Sequence, residues 1–455
     1  MSRLLLTFYG DDFTGSTDAL EQLTLAGIRT ALFIKPPTPA QLRKFPGLQA
    51  VGVAGMTRSM PPTAIEKELR PALRKLKALG ARHVHYKVCS TFDSSPAVGS
   101  IGRVMEVAAK IFPAPFIPIL AAAPALGRYT VFGTHFARYG IGSAGEIHRL
   151  DRHPSVSKHS VTPMTEADLR LHLSQQMKKK IALFDILKLA LPESEARAAL
   201  KKILMEKPDA VLFDALYTNQ LKQIGGLIDA YASRGKPLFS IGSSGVEAAL
   251  AAHFGSRSSR REAAQTEKRD SQSLLTSAAT NVLIGSGSCS PVTGGQIDRA
   301  LKHGFFEVIL NAARLTMSTS APSEMNRAAD AAAEMLRAGR SVIVHTTRRG
   351  ADKRVVAKLK NNTAQILGAS LGMVLRCAQG RCPTRRICIA GGDTSSFAAR
   401  ALGIEALEMI APLTPGAPLC RAYAPGSPVD GCEMIFKGGQ VGAENYFEIV
   451  RRGRI

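Results

Sequence analysis

The sequence predicts an α/β protein made of two domains, each with a mainly parallel sheet, and a ligand cleft between them. Three observations lead there. The 455 residues exceed what one hydrophobic core of ordinary size supports. Short β-branched apolar runs alternate with amphipathic segments from end to end, the pattern of strands joined by crossover helices. Between them, Ser256 to Ser273 has almost nothing to bury and reads as an exposed connection. The predicted boundaries are 1–255 for the first domain, 256–274 for the linker and 275–455 for the second.

In the first domain strands are expected at Arg3 to Tyr9, Thr30 to Ile34, Leu48 to Ala54, His83 to Val88, Phe116 to Leu120, Ala210 to Phe213 and Pro237 to Ile241. Each is a short apolar run broken by glycine, proline or charge. Helices are expected at Ser16 to Ala26, Thr63 to Leu79, Glu166 to Met177, Ser194 to Met205 and Leu221 to Ala232, where apolar residues recur three and four apart. The second series has strands at Val282 to Ile284, Phe305 to Leu310, Ser341 to His345 and Arg386 to Ala390. Its helices are Val292 to Leu301, Ser323 to Leu336 and Val355 to Leu371. Leu419 to Phe436 reads as one or two further strands and Ala443 to Val450 as a closing helix.

Hydrophobic residues make up 45% of the chain and charged residues 21%, which excludes a disordered or fibrous protein. The balance of 59 Lys and Arg against 36 Asp and Glu gives a net charge of +23, which suits an anionic ligand or a basic, soluble surface. The basic clusters at 178–180, 257–261, 348–354, 385–386 and 451–454 are short and scattered. They are not interleaved with aromatics, and the chain has no Trp, so a nucleic-acid partner is not expected. Seven cysteines, an odd number, form no disulfide framework and fit a reducing compartment. The run Leu4 to Tyr9 is interrupted by Asp11 and Asp12 and is no secretory signal. The stretch Ile111 to Leu126 holds four prolines and is too short to span a bilayer. The reading is a cytoplasmic protein with no membrane partner; His148, His153 and His159 are spaced for no metal site.

Ligands of open α/β sheets bind just past the carboxyl ends of strands. In the first domain that rule selects Gly10-Asp11-Asp12-Phe13-Thr14-Gly15, where two adjacent acids open a helix. One of them could be an ordinary N-cap; a second is harder to dismiss. It also selects Tyr86 to Ser95, where Lys87, Ser90, Thr91 and Asp93 supply an ammonium, hydroxyls and an acid, a pocket for a small polyhydroxylated anion. The competing reading is a solvated serine-rich turn with Pro96 opening a helix. Arg58, after the strand ending at Ala54, adds a second cation.

In the second domain three glycine turns follow strands: Gly285 to Ser290, Gly391 to Ser395 and Lys437 to Gly442. Glycine lets the main chain approach an anion, hydroxyls add donors, and the next helix presents free N–H groups and its positive dipole end. Three such turns suggest a nucleotide site. No Gly-x-x-x-x-Gly-Lys-Ser/Thr occurs, so this is not a standard P-loop.

These motifs, with Val161 to Met164, occur in the order and over the extent found in the four-carbon acid sugar kinase family, which the chain resembles across nearly its whole length. The resemblance implies an amino-terminal domain binding a sugar acid, a carboxyl-terminal domain binding ATP with Mg²⁺, and phosphorylation of a threonate, erythronate or oxo-tetronate type acid. Carried over by position, it places substrate contacts at Asp11, Arg58, Lys87, Ser90, Thr91, Asp93 and His159. Nucleotide contacts fall at Ser286, Ser288, Gly391, Gly392, Asp393, Thr394, Gly438, Gly439 and Gly442. Asp12 is expected to orient or deprotonate the acceptor hydroxyl. Departures are Asp393 where Glu is common, a longer segment from Thr134 to Ser160, and Ser160 in place of proline; the substrate and a homodimer stay open.

Two other readings compete. Gly285-x-Gly287-x-x-Ser290 with Glu307 is a degenerate dinucleotide fingerprint and would make the chain an NAD(P)-dependent oxidoreductase, but the third glycine is missing. The net charge alone would suit a basic nucleic-acid-binding or interaction protein.

Overall fold

The computed structural model describes residues 4–140, 145–159, 162–258, 280–347 and 363–453, with the side chains of 256–258 excepted. The chain divides into two compact units, residues 1–31 with 35–265 and residues 32–34 with 266–455. Strands of the first unit are β1 (Leu6–Gly10), β2 (Thr30–Phe33, its last two residues falling in the second unit), β3 (Ala50–Ala54), β4 (His83–Lys87), β5 (Ile117–Leu120), β6 (Arg128–Val131), β7 (Thr134–Arg138), β8 (Ile147–Arg149), β9 (Ile181–Phe184), β10 (Ala210–Phe213) and β11 (Leu238–Gly242). Those of the second are β12 (Val282–Ser286), β13 (Phe306–Ile309), β14 (Val342–His345), β15 (Arg386–Ala390), β16 (Ala406–Thr414), β17 (Ala417–Tyr423) and β18 (Glu433–Lys437).

In the first unit β3-β1-β4-β11-β5-β10-β9 form a wholly parallel run. Every residue of β1, β3, β4 and β11 is buried, as expected for parallel strands covered by helices on both faces. The register sets Gly10 opposite both Ala54 and Lys87, and Lys87 opposite Gly242. The loops beginning at Asp11, Gly55, Val88 and Ser243 therefore leave the sheet at one level. A core of Tyr9, Leu69, Val104, Ile119 and Phe239, among others, lies beneath.

In the second unit β13-β14-β12-β15-β18 are parallel, and β17 and β16 follow antiparallel. Ser286 stands opposite His345 and Ala390, and Ala390 opposite Lys437, so the three glycine turns also emerge level with one another.

Several expectations are corrected. The helix Gly245–Ser258 reaches three residues into the segment expected to link the domains from 256; 259–274 lie outside the described residues, as do Ser160 and Val161. The helix expected to end at Leu371 runs Thr363–Arg381, and its expected start at Val355 lies outside the described residues. Gly372 does not stop it, because glycine there serves close packing: a Cβ would lie 2.7 Å from the Ala398 carbonyl oxygen of the helix Gly392–Ala401. β16 was not expected at all. Pro412 obscures it, and the ladder to β17 shifts register on either side of Ala411, an irregularity that tolerates proline. A separate antiparallel sheet, β6-β7-β8, also went unread.

The pair Arg385 and Arg386 was grouped with surface charge, yet Arg386 is fully buried. Its Nε and Nη2 bind Glu433 Oε2 at 2.8 and 2.6 Å, and Nη1 donates to the carbonyls of Val450 and Arg451 at the end of the closing helix Tyr446–Arg452. Among the described residues no helix is long and apolar enough to cross a membrane.

Arg386→Ala takes away the fully buried partner of Glu433 and leaves it only the half-exposed Arg385 at 2.7 Å, and is expected to cost up to about 3 kcal/mol in urea unfolding. Replacing both members, Arg386→Met with Glu433→Leu, is expected to cost far less.

Candidate functional site

The helix Phe13–Leu25 begins directly after β1, and Asp12 caps it: Oδ1 accepts from the Gly15 amide at 2.7 Å. Its Oδ2 accepts from Thr14 Oγ1 at 3.0 Å and meets Arg58 Nη1 at 2.8 Å. Both oxygens of Asp12 are thus engaged. Asp11 differs: it is buried, and its Oδ1 has no hydrogen-bond partner. Burial first, and then the neighbouring charge of Asp12, push its carboxyl up to about 7 against the pull of Arg58 and Lys87. The Arg58 amide donates to the Asp11 carbonyl, which ties the two loops together.

Lys87 lies under these loops instead of at their rim. Only 1% of it is exposed; its ammonium donates to the Val88 carbonyl at 2.9 Å and stands 3.5 Å from Asp18 Oδ2. Glu247, from the helix after β11, is buried nearby, its carboxyl raised to about 8 by burial despite Lys87. His85 Nε2 is 3.6 Å from Glu247 Oε2, and burial lowers that imidazole to about 3, so it stays neutral. Asp18 and Glu247 were not singled out from the sequence. Apart from their acidity nothing local marks them, because Glu247 enters from a helix more than two hundred residues after Asp18.

The loop after β4 is not a solvated turn: Ser90, Thr91, Phe92, Asp93 and Ser94 are all buried, and the next helix begins at Ile101, not at Pro96. Thr91 Oγ1 donates to Asp93 Oδ1 at 2.8 Å, His135 Nε2 on β7 holds the Ser90 carbonyl at 2.9 Å, and Ser94 Oγ pairs with His172 Nε2 at 2.8 Å. Phe92 sits at φ 57°, a conformation costly for an aromatic residue and one that clusters at ligand sites. The interactions of His159 are local, from Nδ1 to the amide and hydroxyl of Thr162.

In the second unit the register brings the three turns into contact. A Cβ on Gly287 would meet Thr394 Oγ1 at 2.4 Å, and one on Gly439 would meet Ser288 Oγ at 2.8 Å. Gly391, at φ 124°, is the N-cap of the helix Gly392–Ala401, and no side chain caps that helix start, which Gly392, Asp393 and Thr394 form. The hydroxyls of Ser290 and Ser395 are buried without partners. Ser286 lies at the floor, its hydroxyl 3.5 Å from the Ser288 amide.

The third turn is braced from outside. Gln296 Nε2 donates to the carbonyls of Val441, Gly442 and Ala443, and Thr293 Oγ1 donates to that of Gly439 at 2.8 Å. Lys437, buried, donates to Thr293 Oγ1 at 2.8 Å. Burial lowers its ammonium to about 7. Gly438 and Gly442 flank this brace, Gly442 at φ 87°. Glu307, the acid of the dinucleotide reading, is bonded to His345 Nε2 at 2.9 Å, and β14 lies between its strand and β12. Among the described residues no three His, Cys, Asp or Glu side chains come together to hold a metal.

Comparison with known proteins follows this division. Residues 6–250 match the model of a sugar-binding N-terminal domain and residues 283–447 that of a nucleotide-binding C-terminal domain. The chain is 40% identical over 463 residues to the 3-oxo-isoapionate kinase of Paraburkholderia graminis, covering 99% of this chain and 95% of that one. It is 30% identical over 452 residues to the 3-oxo-tetronate kinase of Cupriavidus necator, covering 98% and 96%. In fold it is similar to a Salmonella typhimurium protein described as a tRNA synthase, with a TM-score of 0.76 at 24% identity and 99% of each chain covered. A Haemophilus influenzae protein gives 0.68 at 20% identity, covering 98% of this chain and 99% of that one.

Lys437 gives a stability test. With a folded value near 7 and an unfolded one near 10.5, the unfolded chain holds the extra proton between those limits, so stability rises with pH across that window. The unfolding free energy of the wild type relative to Lys437→Met is expected to climb from pH 7 to pH 10, by up to about 1.4 kcal/mol per unit.

Proposed function

The chain belongs to the four-carbon acid sugar kinase family, and from that premise we propose that this sugar acid kinase transfers the γ-phosphoryl group of ATP to a hydroxyl of a small 3-oxo sugar acid. The observation that carries the reading is the meeting of three glycine turns at the level ends of β12, β15 and β18, around buried hydroxyls that lack partners. A phosphate chain fits such a cradle. Ser288, Ser290, Thr394, Ser395 and the first amides of the helix Gly392–Ala401 would hold it, with Asp393 the acid at hand for Mg²⁺. Bound there, ATP supplies the phosphoryl group and Mg²⁺ neutralises part of its charge.

The rest of the work falls to this chain's residues. Phosphoryl transfer needs an acceptor hydroxyl held in line and relieved of its proton. We assign proton acceptance to Asp11 and give Asp12 the task of fixing Arg58 and the helix start. What supports this is that Asp12 spends both oxygens on Gly15, Thr14 and Arg58, whereas Asp11 keeps one free and titrates near neutrality. Ser90, Thr91 and Asp93 are proposed to bind the sugar hydroxyls, with Arg58 beside them and His159 at an outer contact. Lys87 acts from below, by holding Asp18 and setting the charge around Asp11. For the substrate, 3-oxo-isoapionate comes ahead of 3-oxo-tetronate, since the relative named for the first is 40% identical and that named for the second 30%. Seven cysteines without a disulfide fit the cytoplasm.

ADP release measured against 3-oxo-isoapionate, 3-oxo-tetronate, threonate and erythronate tests the reading. Turnover is expected with a 3-oxo acid, and silence on the whole panel would overturn the reading. Gly391→Ala is expected to raise KM for ATP and leave that for the acid unchanged, because only the phosphate turn is strained. Since Asp11 must lose its proton to act, kcat/KM is expected to rise with pH through about 7. Asp11→Asn should lower kcat by roughly 10²- to 10⁴-fold. Asp12→Asn removes a charge that raises Asp11, so it should shift the acidic limb of the profile to lower pH.

A further inference from the structure

We propose that Arg128 receives the carboxylate of the acid substrate, with the Nε2–H of His153 as a second donor; the assignment rests on the kinase reading. Arg128 opens β6 and is 5% exposed. All three of its hydrogen bonds are made by Nη1, to the carbonyls of Leu126 (3.2 Å), Gly127 (3.2 Å) and Arg138 (3.0 Å). Nε is sealed from solvent without a partner. Carbonyl dipoles satisfy one corner of the guanidinium and leave the Nε–Nη2 edge, the edge that grips a carboxylate in a bidentate pair. Among the described residues no acid lies within ion-pair distance of Arg128. Arg386, equally buried, shows the alternative: its Nε and Nη2 are closed by Glu433.

A buried cation with no counter-ion is costly, and a ligand anion relieves that cost. The nearby acids act on it only from beyond ion-pair distance. Burial holds the Arg128 guanidinium below its usual range, and the groups that oppose this are the Cys89 thiol, Asp93, Tyr129 and Asp18. Burial keeps Cys89 protonated, pushed up to about 12. Cys89 and Asp93 belong to the loop whose Ser90 carbonyl is held by His135, on the strand paired with β6, so the unmatched charge sits beside the proposed hydroxyl-binding residues.

His153 adds a donor of the same kind. Its Nδ1 accepts from the amides of Ser155 and Val156, both at 3.3 Å, which puts the proton of the neutral ring on Nε2. Nε2 is buried and makes no hydrogen bond of ordinary geometry, although the Arg138 carbonyl acts on the ring. Burial first, and then the charge of Arg128, keep the ring neutral. Two unmatched N–H groups close enough to influence each other define a site for an anion and disfavour a neutral analogue.

The test compares kcat/KM for the best acid of the panel with that for its primary amide. The wild type is expected to favour the acid on the order of 100-fold. In Arg128→Met the preference should collapse to within a few-fold, with KM for ATP unchanged, and Arg128→Lys should restore part of it, since an ammonium keeps the charge and loses the fork. A purely structural arginine would lower both values together and leave the ratio intact, and that result in Arg128→Met overturns the assignment. If the Met variant does not fold by circular dichroism, Arg128→Lys carries the comparison, and an unchanged ratio there overturns it equally. A wild type that turns over acid and amide alike sinks the role of Arg128 and spares the kinase reading; one that turns over no acid sinks both.

Discussion

Lys87 ends β4 with its ammonium shut away from water, and Asp18, Glu247 and Asp11 lie around that one buried charge. A buried cation needs compensation, which Asp18 supplies most closely. Glu247 and Asp11 then face a site already neutralised. Burial outweighs the pull of Lys87 on both, so their carboxyls rise to about 8 and about 7. The adjacent acids of the Gly10 to Gly15 turn are given different surroundings by this arrangement. Asp12 is drawn outward to Arg58 and the helix start and Asp11 is left inside, protonated or not according to pH near neutrality.

The second unit solves a different problem, that of keeping a cradle open without a ligand. Its glycine turns have no side chains of their own to hold them apart, so the support comes from behind. Gln296 closes three carbonyls of the last turn, Thr293 a fourth, and Lys437 completes the chain by donating to Thr293. Each of these partners is intramolecular and buried, whereas the hydroxyls of Ser290 and Ser395 are buried without partners.

Buried arginines make the same distinction visible. Arg386 has a carboxylate and two carbonyls and ties β15, β18 and the last helix into one core. Arg128 has carbonyls alone. Identical side chains at similar burial thus serve cohesion in one place and leave charge unspent in the other.

Much of this was legible along the chain. The alternation of apolar runs and amphipathic segments gave a parallel α/β architecture, and strand-end position picked out the Asp11–Asp12 turn, the loop after Lys87 and all three glycine turns, because those signals are local in sequence. Features without a local signature were lost: β16 behind Pro412, the antiparallel sheet of β6 to β8, and the helix that runs on past Gly372. So were the roles within the site, since which of two adjacent aspartates keeps a free oxygen, whether Lys87 faces out or in, and which arginine lacks a carboxylate depend on groups tens to hundreds of residues away. The sequence by itself determined most of the strands and helices and the strand-end loops between them. Only the tertiary structure decided the protonation and partners of each side chain, because burial and Coulomb interactions are set by neighbours in space.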